Sequence, residues 1–176
     1  KVTIENYPEG ESELLPVDIN PNDENAGTKN VSFSKNIFIE KDDFMEVPVK
    51  KYFRMFPGNE VRFKGAYFIT CNEVVKNEDG SIKELLCTYD PETRSGNNFE
   101  GRKVKGTIHF VDAATAVPIK VRQFDYLMVE NEEGENVMNE ETMREITCYA
   151  EPLVQEAEAG ERFQFFRHGY FVADSK

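Results

Sequence analysis

The sequence has no tryptophan, two histidines and three cysteines in 176 residues, and each scarcity removes a class of function. Cys71, Cys87 and Cys148 are odd in number and show no Cys-x-x-Cys spacing, so neither a complete disulfide framework nor a four-ligand zinc site can be built. They read as reduced thiols of a cytoplasmic protein. His109 and His168 sit in strand-like stretches beside aromatic residues and read as structural. No run of apolar residues reaches the ~18 that a membrane-spanning helix needs. Gly-x-x-x-x-Gly-Lys-Ser/Thr, Gly-x-Gly-x-x-Gly after a strand, and Gly-x-Ser-x-Gly are all missing, which takes the sequence support from nucleotide-phosphate and hydrolase chemistry. Adjacent carboxylates such as Asp42-Asp43 or Glu132-Glu133 point to opposite faces of a strand, so they do not form an acid-base pair.

What is present favours sheet. Hydrophobic residues make up 39% of the chain, enough for a core, and 14 Phe with 7 Tyr suit half-buried pleated surfaces. Alternating or apolar stretches at 2–7, 36–40, 61–75, 82–89, 104–111, 119–129, 145–151 and 162–172 predict eight strands. Asp79-Gly80 supplies the positive φ of a hairpin turn, so 61–75 is expected to fold back onto 82–89. Residues 8–27, 91–101 and 130–141 read as loops. Short helical turns fit near 41–45 and 112–116, neither long enough to be autonomous. The expected class is all-β, with two closed or nearly closed antiparallel barrels.

Charge is placed unevenly. Lys plus Arg number 21 against 33 Asp plus Glu, a net −12 that excludes a generic polycation. Yet residues 50–64 carry a local +4 and 100–122 a local +3, while 128–161 carry −10. Fields act locally, within a Debye length of ~8 Å, so an anionic polymer could dock on the basic strands while the acidic segment faces water. Lys and Arg that merely protect strand edges give the same pattern. The chain starts with Lys1 inside an alternating stretch, and it is expected to be a piece of a longer protein.

Several motifs occur in order along the chain: Asn20-Pro21-Asn22, Ile37-Phe38-Ile39-Glu40-Lys41-Asp42-Asp43-Phe44, Tyr52-Phe53-Arg54, Glu60-Val61-Arg62 and Cys87-Thr88-Tyr89-Asp90-Pro91. They are followed by Gly101-Arg102-Lys103-Val104-Lys105-Gly106-Thr107-Ile108-His109, Phe163-Gln164-Phe165 and Gly169-Tyr170-Phe171-Val172. With these motifs the chain resembles the carboxy-terminal anticodon-binding region of the class I glutaminyl-tRNA synthetases, from residue 4 to residue 174. The resemblance implies two antiparallel β-barrels of ribosomal protein L25-like type. The first is expected at approximately 9–118, and the second at approximately 119–176 together with the strand at 1–8.

The same resemblance implies that Arg62 contacts the first anticodon base and Arg54 the third, a guanine, with Pro21 and Asn22 enclosing the latter. Gln164 and Arg167 fall near the central uracil. Lys51 and Lys64, then Lys103 and Lys105, are expected at phosphates. It further implies a parent glutamine–tRNA ligase that uses ATP and Mg in an amino-terminal catalytic domain, with no cofactor or catalytic residue in this stretch. The expected partner is glutamine tRNA, gripped at its anticodon stem-loop by a cytoplasmic monomer, with no DNA and no membrane involved.

Departures from the family pattern are Phe53 and Phe166 where basic and acidic residues are common, Phe110 for Trp and Thr115 for His. Two other readings share the barrel expectation: a stand-alone ribosomal RNA binder, and an acidic β-barrel that docks on a protein. RNA affinity that falls steeply with salt separates the last from the others.

Overall fold

The Asp79-Gly80 turn forms as its chemistry dictates. Gly80 has φ 81°, the Asp79 carboxylate accepts from the Ser81 N–H at 2.9 Å, and the strands on either side pair antiparallel with Cys71 opposite Cys87. The computed structural model describes residues 1–20, 22–97 and 99–175.

Fifteen strands are present among the described residues. The first nine are β1 (Val2–Ile4), β2 (Ser12–Asp18), β3 (Thr28–Ser34), β4 (Asn36–Phe38), β5 (Glu60–Phe63), β6 (Phe68–Lys76), β7 (Ile82–Asp90), β8 (Thr107–Ile108) and β9 (Val111–Asp112). The rest are β10 (Val117–Phe124), β11 (Met128–Glu130), β12 (Asn136–Met138), β13 (Met143–Ala150), β14 (Arg162–Phe165) and β15 (Gly169–Val172). The helical elements are short 3₁₀ turns of three to five residues, one of them at Lys41–Asp43. The all-β class is as expected.

Seven strands form one sheet in the order β8-β5-β6-β7-β1-β4-β9. Its two edges, β8 and β9, are separated in sequence only by His109 and Phe110. The sheet must therefore curl until its edges nearly meet. Phe110 stands at that seam, 2% exposed, stacked 5.3 Å from Phe63 and edge-on 5.6 Å from Phe33. The β2–β3 hairpin covers the curl and contributes Leu15, Val31 and Phe33 to the same core.

Four expectations change. The strand at 1–8 does not join the second barrel: β1 lies between β4 and β7 in the first unit. Val2 and Ile4 are fully buried there, and a strand so buried needs partners on both edges for its backbone groups. The single strand expected at 61–75 is two, because Gly65 at φ 76° turns the chain between Phe63 and Tyr67. A Cβ at Gly65 would meet Val17 Cγ2 at 2.3 Å, so the turn is built for glycine. The loop expected at 8–27 holds β2, and the one at 130–141 holds β12.

The second unit is thinner. β10 pairs with β13 over eight residues, β11 with β12, and β14 with β15. These are three separate hairpins, not one hydrogen-bonded ring. Among the described residues only Val121 and Ala150 are buried hydrophobics of this unit. It is held to the first unit by stacking of Tyr149 on Phe38 at 4.8 Å and by polar contacts of Glu151 with Lys29 and His109. Arg167 with Asp43 and His168 with Glu40 add two more.

Candidate functional site

The 3₁₀ turn at Lys41–Asp43 sends one carboxylate inward. The Asp43 N–H donates to Glu40 O at 3.0 Å, its carbonyl accepts from the Met55 N–H at 2.9 Å, and Met55 is itself fully buried. Pinned in this way, Asp43 is 0% exposed. A buried carboxylate survives only if it is paired. Two arginines from different units supply the charge: Arg167 Nη2 donates to Asp43 Oδ2, and Arg54 Nε lies 3.4 Å from Oδ1. Oδ1 accepts no hydrogen bond among the described residues.

Arg54 is further fixed by donating from Nη1 to Asp42 O at 3.1 Å, an acceptor it shares with the Tyr52 hydroxyl at 3.0 Å. Burial pushes the Tyr52 hydroxyl up, with Arg54 working against it. Arg167 occupies the β14–β15 turn at φ 67°, a left-handed conformation that a non-glycine residue adopts at a cost. The hydrogen bond to Asp43 raises its pKa and outweighs burial. Both arginine side chains stay partly exposed, at 38% and 28%, so each can meet a ligand.

Beside this cluster Phe166 offers a ring face. Lys64 Nζ lies 4.3 Å from its centroid, a cation-π distance, and the His109 ring is 6.4 Å away. Lys64, Phe166, His109, His168 and Gln164 line a cavity of about 520 Å³ between the two units. Gln164 is exposed between half-buried Phe163 and Phe165, as strand alternation requires. Its amide makes no hydrogen bond among the described residues, so both its donor and its acceptor are available. At the cavity wall Glu151 is pushed up by burial, but hydrogen bonds from His109 and Lys29 overcome this and hold it down at about 2.

Arg62 stands apart from the Asp43 cluster. Its Nη1 donates to Ser95 Oγ at 2.9 Å, Thr93 O at 3.2 Å and Ala66 O at 3.4 Å, and its guanidinium lies 4.2 Å above Phe68. Burial lowers its pKa. Arg102 flanks it, clamped by Glu60 and Asp90 and 5.4 Å from the same ring. The Nε and Nη2 atoms of Arg62 have no partner among the described residues. Val61 and Phe63 point into the core, so Arg62 shares the outer face of β5 with the following Lys64.

Lys51, Lys103 and Lys105 are exposed and, like Lys64, form no ion pair among the described residues. Lys105 Nζ lies 5.7 Å from the Phe53 ring. Gly106 permits that approach, since a Cβ there would meet Phe53 O at 2.2 Å. Asn22 is exposed beyond the end of β2, its N–H bound to Asn20 Oδ1 at 3.0 Å, and it makes no hydrogen bond to the Asp43 cluster among the described residues. Pro21 lies outside the described residues.

Residues 1–90 match the family described as tRNA synthetases class I (E and Q), anti-codon binding domain. The chain belongs to this family. Residues 107–174 match a second anti-codon binding domain of the same class. The domain is similar to the glutamine–tRNA ligase of Clostridium perfringens, 51% identical over 180 residues, covering 99% of this chain and 33% of that protein. It is also similar to the glutamine–tRNA ligases of Clostridioides difficile, 47% identical over 183 residues with 100% and 33% covered, and of Nitrobacter winogradskyi, 49% identical over 179 residues with 99% and 32% covered. The chain spans about a third of the length of these curated relatives.

Three residues of this anticodon-binding domain were not singled out from the sequence as functional. Asp43 was set aside as one of an adjacent carboxylate pair, Phe166 was noted only as a departure, and Tyr52 only as part of a motif. The sequence carries no signal for Asp43: its turn is drawn inward by Met55, which is buried only once the chain has folded, and Asp42 then faces out.

Proposed function

We propose that this domain reads the anticodon loop of glutamine tRNA as one part of a glutamine–tRNA ligase. The observation that carries the reading is the convergence of Arg54 and Arg167, from two units, on one buried Asp43 beside the Lys64-capped face of Phe166. Unpaired bases are held by stacking and read on their edges, and that takes cations, a ring and an open cavity on one surface. The surface has all three, although the chain carries −12 overall.

In this reading Arg54 reads the third base, and Asn22 and Pro21 help enclose it. Arg167 and Gln164 address the central uracil, whose carbonyl and imino group complement an amide that both donates and accepts. Arg62 reads the first base with the nitrogens that Ser95 and Thr93 leave free. A planar fork of donors suits each task. Lys51, Lys64, Lys103 and Lys105 hold phosphates and set the loop's register without reading sequence.

Glutaminylation, with its ATP and magnesium, belongs to the remainder of the parent protein, proposed here to work in the cytoplasm as a monomer. Among the described residues no three His, Cys, Asp or Glu side chains gather into a cation site, and the sequence has no phosphate-cradling loop. The test is binding of anticodon stem-loop hairpins across a salt series. Expected are tight binding of the glutamine anticodon, a steep fall with salt, and loss of discrimination in Arg54→Ala. Equal binding of hairpins with unrelated anticodons would overturn the reading.

A further inference from the structure

We infer that Asp43 is a positioning residue that ties the reading of the central and third anticodon bases into one event. This rests on the reading of Arg167 and Arg54 proposed above.

The argument begins with stoichiometry. One fully buried carboxylate serves two guanidinium groups, Arg54 from the loop before β5 and Arg167 from the β14–β15 turn, 124 residues from Asp43 in the chain. The two are held differently. Arg167 makes a charge-assisted hydrogen bond to Oδ2, whereas Arg54 approaches Oδ1 at 3.4 Å without hydrogen-bond geometry. Oδ1 is thus a buried acceptor whose donor is close and not engaged.

Movement of either arginine toward a base alters what the other feels from the shared carboxylate. If a base draws Arg54 off, the full charge of Asp43 falls to Arg167. If Arg167 leaves, Oδ2 becomes free for Arg54. Such mutual dependence is a coupling free energy between two reading sites, and it acts equally in both directions. No other hydrogen bond or ion pair among the described residues is shared by the two arginines. The Asp42 carbonyl accepts from Arg54 and from the Tyr52 hydroxyl but not from Arg167, the Tyr52 hydroxyl feels the charge of both arginines without bonding to either, and Phe166 lies 5.4 Å from the Arg167 guanidinium.

The experiment uses the full-length protein, RNA hairpins with the glutamine anticodon, and hairpins with the central, the third or the first base replaced. Asp43→Asn keeps the shape and removes the charge. It is expected to lower discrimination at the central and third positions together, by about tenfold each, while discrimination at the first base, read by Arg62, and the salt slope stay as in wild type. A role limited to stability would lower the melting temperature and weaken all hairpins alike, leaving every ratio intact, and that result overturns the inference.

A cycle that leaves Asp43 in place guards against misfolding of the variant. Arg54→Lys and Arg167→Lys, singly and together, should show binding losses that are not additive; strict additivity overturns the inference. Failure of the wild-type protein to distinguish any of the hairpins would instead sink the proposed function, and the inference with it.

Discussion

Replacing Glu151 by Gln is the sharpest test of how the thin second unit is held. Glu151 reaches across the junction to Lys29 and to His109 Nε2 at 3.4 Å, with 18% of its side chain exposed. Those partners hold its carboxyl at about 2 against an ordinary 4.5. At 1.36 kcal/mol per pKa unit this difference corresponds to ~3 kcal/mol favouring the folded, ionised form. The folded value lies below the unfolded one. The contribution is therefore complete above about 4.5, shrinks as pH falls, and is gone below about 2. Urea unfolding of wild type and Glu151→Gln should accordingly differ by roughly 3 kcal/mol at neutral pH, with the two curves converging between pH 4.5 and 2. Because Val121 and Ala150 are the only buried hydrophobics of the second unit among the described residues, the loss should fall on the transition of residues 117–174, read from the exposure of Cys148 to a thiol reagent. Curves that remain parallel across that pH window, or a gap at neutral pH too small to measure, would refute the assignment.

Gly106→Ala drives a Cβ to within 2.2 Å of Phe53 O; backbone must shift, so a destabilisation of ~1–3 kcal/mol is expected in thermal melts, with weaker RNA binding through the displaced Phe53 and Lys105. Removing Lys51, Lys64, Lys103 and Lys105 one at a time should weaken all hairpins alike, and each genuine phosphate contact should reduce the slope of log affinity against log salt by about 0.7; an unchanged slope removes that lysine from the surface. Arg62→Ala should cost ~1–3 kcal/mol in binding the glutamine anticodon and relax selectivity at the first base alone, as measured by competition between hairpins.

The parts legible in the sequence were those whose causes are local. Asp79-Gly80 specifies its own φ and its own carboxylate contact, so that hairpin could be read from six residues. Alternation placed Gln164 on the face opposite Phe163 and Phe165 correctly. β2 was hidden because Pro16 and acidic residues give it the composition of a loop. It is tolerated since only one side chain of the strand, Leu15, is fully inward and the β2–β3 pair forms a sheet of its own. Gly65 inside an apolar run looked like part of a longer strand, since the obstacle that demands it, Val17, comes from 48 residues earlier. The candidate site divides the same way. Arginines could be named from motif order, but their shared anion could not, because Asp43 gains its meaning only when a turn 124 residues away is folded against it.

The position of β1 bears on how the polypeptide is made. β1 lies mid-sheet, parallel to β7 and antiparallel to β4. Its β4 neighbour emerges soon after it, but Leu85, Leu86 and Cys87 must be synthesised before Val2, Thr3 and Ile4 gain their other edge. Until then two of the most deeply buried side chains of the first unit, Val2 and Ile4, wait in the open, and the ring cannot shut before Val111 and Asp112 arrive on β4. Removing Val2–Ile4 would therefore open the centre of the sheet instead of fraying its rim.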